Sequence, residues 1–466
     1  MSNPNFNEFL NSIPKFYSLK DSKLIITNSE NLKKNFMDQL VYYSIFSEDE
    51  EIKNSLRWII RETALAFGAI PSSIQAFYEE KSKGKHKNVT VPAINIRGLT
   101  YDTARSIFRC ALRNNSKAFI FEIAKTEIGY TKQKPSEYSS VILGAAIREN
   151  YSGPIFIQGD HFQVNAKKFA QNPSGEINEL KELIKEAVEA SFYNIDIDAS
   201  TTVDLSKSSV NDQQFQNYES TAILTKFIRE NEPKDLTVSI GGEIGEVGGK
   251  NSTVEELEAF LKGYKQSLEN KMPGAKGLSK ISVQTGTTHG GVVLPNGTVE
   301  KVKLDFETLR ALSRSAKEFG LSGAVQHGAS TLPREAFDKF PETDTAEIHL
   351  ATGFQNIIYD SSNLPLSLKN RIIEYIHDNF ISEKKEGETD EQFVYKTRKK
   401  AFGPFKKELY DLAPDVKEKI SKELEDQFCF LFNKLNAINT SKEIDSCVKP
   451  LSLHTKPPKS LEKLLN

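Results

Sequence analysis

Residues 153–161 read GPIFIQGDH, an apolar run that ends on an acid and a histidine. Two later stretches repeat the arrangement, KISVQTGTTH at 280–289 and SGAVQH at 322–327. In each, the histidine (His161, His289, His327) stands where a strand would give way to a loop, and the last two are followed by glycine. Runs that are apolar at consecutive positions suit strands buried on both faces, as in a parallel sheet covered by helices. Five more runs of this kind flank the three: VTVPAINI (89–96), KAFIFEIA (117–124), FYNIDIDA (192–199), TVSIGGEI (237–244) and AEIHLATG (346–353). Eight runs alternating with helical patterns are what a parallel sheet closed into a (β/α)8 TIM barrel requires. An open doubly wound sheet is the alternative. The count of eight, and the polar residues gathered at the run ends, favour the barrel.

The intervening segments are amphipathic. Leu180, Leu183, Ile184, Ala187 and Val188 share one helical face, and so do Phe306, Leu309, Leu312, Ala316 and Phe319. The flanks differ. Residues 1–88 carry helical patterns (NLKKNFMDQLVYYSIF, IKNSLRWIIRETALAFGAI) and no strand alternation, so they are expected to form a helical extension. Residues 89–360 form the barrel. Residues 361–466 form a helical, charged tail with an exposed loop at KKEGETDEQ (384–392).

Composition narrows the class of protein. Of 466 residues, 38% are hydrophobic and 27% charged, which fits a soluble chain with a sizeable core. Basic and acidic residues nearly balance at 61 and 63, so nothing suggests a general nucleic-acid partner. The three cysteines (Cys110, Cys429, Cys447) are far apart and form no CxxC, which argues against a disulfide framework and against a thiolate metal site. No signal-peptide pattern opens the chain, and no apolar run reaches the ~20 residues of a membrane span. The default expectation is a cytoplasmic protein with no membrane association.

In a barrel of this type the active site lies at the C-terminal ends of the strands. Standing there are Asn95, Asp160, His161, Asp198, Glu243, His289, His327, Ser330, His349 and Thr352, groups that bind metal, move protons and grip polar ligands. A single histidine after a strand is ordinarily a packed or surface residue. Three in matching positions, with carboxylates alongside, point to one ion, because a catalytic zinc-type site needs about three protein ligands and an open position. Asp160 beside His161 divides the work: the imidazole binds the ion while the carboxylate serves as acid or base. Glu243 lies in GGEIGEVGG (241–249), whose five glycines permit close backbone approach and matches neither GxGxxG nor a Walker loop. That segment is expected to close over substrate.

The order DH, GGEIGxxGG, GTxHGG, HGAS and a last strand ending in TGFQ resembles the class II, metal-dependent fructose-bisphosphate and tagatose-bisphosphate aldolase family, over roughly residues 89–360. A weaker echo lies at TRKKAFGPFKKEL (397–409). The resemblance implies aldol cleavage of a phosphorylated ketose by one zinc ion, with a monovalent cation allowed beside it, in a homo-oligomer expected to be a dimer. It implies His161, His289 and His327 as ligands and Glu243 as an alternative ligand or a group behind them. Asp160 becomes the acid/base near the aldehyde oxygen, and Gly290, Gly328, Ser330 and Thr352 hold the ketose phosphate. Asn95 and Asp198 shape the pocket, and Arg398 meets a second phosphate.

The chain departs from the family pattern in particular places. After the paired glycines it carries Lys250 and Asn251 in place of acids, Ala124 in place of a serine, and His349 in place of the last strand's asparagine. Glu246 is then the first candidate for the base that moves the ketose proton, with Glu255 second. His349 is open to three readings: a fourth metal ligand, a replacement base, or a packed polar residue. Another metal-assisted sugar-phosphate reaction and a catalytically impaired scaffold stand as the competing functions.

Overall fold

The computed structural model describes residues 6–244, 250–286, 294–295 and 304–465. Its strands are β1 (Tyr17–Lys20), β2 (Lys23–Ile26), β3 (Ala69–Ser72), β4 (Val91–Asn95), β5 (Ile120–Ala124), β6 (Gly153–Gln163), β7 (Asn194–Asp198), β8 (Ser239–Glu243), β9 (Lys280–Val283), β10 (Ala324–Gln326) and β11 (Glu347–Leu350). β4 through β11 are the eight apolar runs. They pair in parallel in chain order, β11 returns to pair with β4, and a direct β6–β7 pairing closes the ring. The (β/α)8 barrel is formed.

Helices cover the ring where the patterns placed them. In the helix Pro173–Glu189, Leu180, Ile184, Ala187 and Val188 are buried; in Phe306–Glu318, Leu309, Leu312 and Ala316 are buried. Each such leucine or isoleucine contributes roughly 1.5–3 kcal/mol relative to exposure. The interior of the ring is less ordinary. Barrels of this kind are commonly filled by branched apolar side chains, yet Glu122, Gln158, Asp160, Asp196, Lys280, Glu347 and His349 are buried here.

The region before residue 89 corrects the helices-only expectation. β1 and β2 form an antiparallel hairpin turned by Asp21 and Ser22, both at positive φ (50° and 60°), the geometry of a tight two-residue turn. Its strands are too short to show alternation. β3 joins the barrel by pairing with the first residues of β6, Ala69 opposite Gly153, below the point where β7 takes over. The sequence hides it because its four residues follow the helix Glu50–Ala66 after only Phe67 and Gly68. Gly68, at φ 76°, makes the break. The side chain of Asn194 fixes the junction, accepting from Ile74 N at 2.9 Å and donating to Ser72 O at 3.3 Å and Ile157 O at 3.0 Å.

The tail packs on this extension. Trp58 Nε1 donates to Thr455 O at 3.1 Å, and His454 Nδ1 lies 2.6 Å from Glu62 Oε2. Cys110, on the helix Thr100–Arg113, and Cys429, on Pro414–Lys434, form a disulfide with Cα atoms 5.6 Å apart. That pairing also corrects the sequence expectation. The two cysteines are 319 residues apart, and only the docking of the tail helix on the barrel brings them together. Among the described residues no helix is long and apolar enough to cross a membrane.

Candidate active site

His161 owes its position to a β-bulge. β6 and β7 pair Gly159 with Ile195 and next Phe162 with Ile197, so Asp160 and His161 together face the single residue Asp196. A bulge adds one residue to one strand and re-aims the side chains beside it. His161 takes φ 41°, a left-handed conformation uncommon outside glycine, asparagine and aspartate, and a usual sign of a functional constraint. Gly159 is what lets the strand fold back: a Cβ there would lie 2.4 Å from the Phe162 ring.

Around His161 gathers a set of donors. Its Nδ1 lies 3.1 Å from Asp198 Oδ2 and 3.1 Å from Glu243 Oε2. Its ring centre is 4.1 Å from that of His327, on the loop after β10. Ligand atoms of Asp160, His161 and His327 fall within 4.8 Å of one another, as do those of His161, Asp198 and Glu243. Bonds of about 2.0–2.1 Å to a common ion need this convergence, so the residues present fit one divalent cation. Burial would lower the His161 pKa, but Asp160 and Glu243 outweigh it and hold it well above the ordinary value. Burial also raises Glu243 to about 7. Asp198 moves the other way despite its burial, because His161, Ser200 and Gln163 hydrogen-bond its ionised form. His289, Gly290 and Glu246 lie outside the described residues.

Below the histidines runs a second, wholly buried polar set built from alternate inward positions on the strands. His349 Nδ1 is 3.1 Å from both Asp160 Oδ1 and Glu122 Oε2, and its Nε2 is 2.7 Å from Glu347 Oε1. Its ring centre is 4.1 Å from that of His327. Lys280 Nζ donates to Gln158 Oε1 at 2.7 Å, to Asp196 Oδ2 at 3.0 Å and to Glu347. Burial would raise the Glu347 pKa, but Lys280 and His349 hold it down, while burial pushes Glu122 up to about 8.

The cavity at the barrel mouth has a volume of about 440 Å³ and reaches from these groups to the C-terminal segment. One wall carries His327, Gly328, Ser330 and Thr352, at the start of the helix Thr352–Asp360. Gly353 N donates to Ser330 Oγ at 3.1 Å, which ties the two loops together. Asn95 also lines the cavity; its Nδ2 donates to Glu127 Oε2 at 2.5 Å, and its buried Oδ1 has no hydrogen-bond partner among the described residues. The cavity is also lined by Arg97, Tyr130, Tyr395 and Lys399. Arg97 is bonded to Glu127 at 2.7 Å and to Gln355 at 2.8 Å. Lys399 makes no salt bridge among the described residues; burial, and then the neighbouring Arg97 charge, lower its pKa.

The family model for class-II fructose-bisphosphate aldolase matches residues 79–426, three quarters of the chain. The chain belongs to the class II fructose-bisphosphate aldolase family. No curated protein sequence matches it. Among solved structures, it resembles the fructuronate-tagaturonate epimerase UxaE from Cohnella laeviribosi at 11% identity over 81% of this chain and 86% of that one, with a TM-score of 0.57. A probable tagatose 6 phosphate kinase from Sinorhizobium meliloti aligns at 13% identity over 81% and 99% of the two chains, with a TM-score of 0.53. The fructose-bisphosphate aldolase from Campylobacter jejuni aligns at 16% identity over 80% and 99%, with a TM-score of 0.44. At these identities the first two likenesses show the fold alone.

Within this class II family chain, Asp160, His161, His327, Gly328, Ser330, His349, Thr352 and Asn95 line one cavity, with Asp198 and Glu243 behind His161. Arg398 is placed elsewhere: Asp360 and Asn356 hold its guanidinium, and its neighbour Lys399 lines the cavity instead. Glu255 is exposed in the first turn of the helix Val254–Lys271, which Thr253 and Glu256 cap reciprocally. Asn251 donates to Asp305 at 3.3 Å. Sequence reading missed Arg97, Glu122, Lys280, Glu347 and Lys399. Charged residues two apart inside otherwise apolar strands (Lys280, and Glu347 before His349) were the available signal for the interior set.

Proposed function

We propose that the chain is a metal-dependent aldolase that cleaves a phosphorylated ketose reversibly to dihydroxyacetone phosphate and an aldehyde, with a ketose bisphosphate such as fructose 1,6-bisphosphate as the substrate type. The observation that carries this reading is the convergence of Asp160, His161 and His327 at the mouth of a barrel of this family. His161 and His327 would hold a zinc-type ion together with His289 and, as an alternative, Glu243. Such an ion supplies Lewis acidity at the ketose carbonyl and its neighbouring hydroxyl. Asp160 takes the proton of the hydroxyl that becomes the aldehyde as the carbon–carbon bond breaks, and the bonding electrons pass to the enediolate of the ketose half. Glu246 is the first candidate to return a proton to that half.

Gly328, Ser330 and Thr352 bind the ketose phosphate at a helix start, where backbone N–H groups favour an anion. Asn95 Oδ1, buried and without a hydrogen-bond partner among the described residues, orients a substrate hydroxyl. Lys399, which lines the same cavity near Arg97, receives the second anionic group. Epimerisation of a ketose begins from the same kind of proton removal, and the same assay separates it.

The test is turnover of a panel of ketose mono- and bisphosphates by protein stripped with chelator and reloaded with zinc. Metal-restored release of dihydroxyacetone phosphate is expected. Epimerised ketose without cleavage would replace the aldolase reading, and inactivity of the reloaded protein on the whole panel would favour a scaffold.

A further inference from the structure

Four carboxylates (Glu122, Asp160, Asp196 and Glu347) meet inside the ring with two cationic side chains, Lys280 and His349. Removing such charges from water costs several kcal/mol each unless they are paired and hydrogen-bonded. The pairing is unequal. Glu347 is secured three times over, by Lys280, by the Tyr78 hydroxyl and by Gln158 Nε2 at 2.9 Å. Asp160 and Glu122 converge on one atom, His349 Nδ1, at 3.1 Å each, and Glu122 also accepts from Gln158 Nε2 at 3.1 Å. The other nitrogen of the same ring rests 2.7 Å from the secured Glu347. Both ring nitrogens therefore lie close to carboxylate oxygens.

We propose that His349 is a positioning residue for Asp160, with Lys280 and Glu347 as the buttress that fixes its ring. The ring holds two carboxylates that would otherwise repel, and aims the Asp160 carboxylate at the cavity. All four residues lie on strands: β11 supplies Glu347 and His349, β9 supplies Lys280, and β6 supplies Asp160. The aim is thus set by strand geometry and not by a mobile loop. This rests on the proposed role of Asp160, and one arm of its test does not.

The kinetic arm is a double-mutant cycle on fructose 1,6-bisphosphate cleavage by the zinc-loaded protein. His349→Asn is expected to lower kcat on the order of 10-fold with KM within about twofold, because a misaimed acid/base costs the chemical step and not binding. In the Asp160→Asn background the same change should add little, since residues acting through one another are not additive. His349→Gln, whose longer amide reaches toward Asp160, should recover part of kcat. Full additivity of the two substitutions would overturn the proposal.

The second arm is a crystal structure of zinc-loaded His349→Asn, with His349→Gln in its place if the first does not fold. Asp160 should leave its wild-type rotamer in His349→Asn, or lose its full ordering in His349→Gln; an unmoved, equally ordered Asp160 would overturn the proposal. If wild-type protein turns over no ketose phosphate, the aldolase reading falls, and the position of Asp160 still decides this one.

Discussion

Glu122 is the residue on which burial acts most visibly. Its carboxyl is raised from an ordinary 4.5 to about 8, by burial first, while His349 opposes the shift. A carboxyl whose folded-state pKa is raised favours the fold in its neutral form. Its contribution is complete below 4.5 and is lost as the pH rises through about 8. Glu122→Gln removes that titration. The difference in melting temperature between variant and wild type should therefore move in favour of the variant between pH 5 and 8, as roughly the window in which the unfolded chain has released the proton and the fold retains it. A constant difference across that range would show that Glu122 is ionised throughout. At this scale the strand-end residues were legible, because several polar groups end apolar runs at matching positions. The interior residues were not. Lys280 and Glu347 open β9 and β11, and sequence alone does not show that each charge meets an opposite one from a strand far away in the chain.

Among elements, the strand order and the amphipathic helices follow from periodicity, and the eight apolar runs became the eight ring strands. What periodicity could not show is where one element interrupts another. The bulge in β6 and the short β3 each depend on pairings with neighbours that the local pattern does not encode. The same holds for the C-terminal segment Asp390–Thr397 and the turn Arg398–Ala401 that follows it. The basic run there was readable, but which of its side chains enters the cavity depends on how that segment docks. Gly98 shows how close the docking is: a Cβ there would lie 2.1 Å from the Phe402 ring. With Arg398 held by Asp360, Lys399→Ala should raise KM for a bisphosphate by about 10-fold or more, the scale of one charge-assisted hydrogen bond. KM for a monophosphate should be nearly unchanged. Equal effects on the two substrates would assign Lys399 to stability of the segment.

For the molecule as a whole, the proposed chemistry sits at the mouth of a barrel of this family, and the departures expected from the sequence at Ala124, Lys250, Asn251 and His349 are what the proposal must accommodate. The barrel carries a buried set of paired charges, and at its mouth two histidines with carboxylates beside them and a cavity lined by Ser330, Thr352, Arg97 and Lys399. Its central claim is that this assembly makes a carbanion-like ketose fragment in a metal-dependent way. The most direct measurement is exchange of the α-proton of dihydroxyacetone phosphate with deuterated solvent, followed by proton NMR, for protein stripped of metal and again after zinc is restored. Exchange is a partial reaction that needs no aldehyde partner. The account predicts exchange with the zinc-loaded protein and its loss on chelation; no exchange by the zinc-loaded protein, or equal exchange with and without metal, would contradict it.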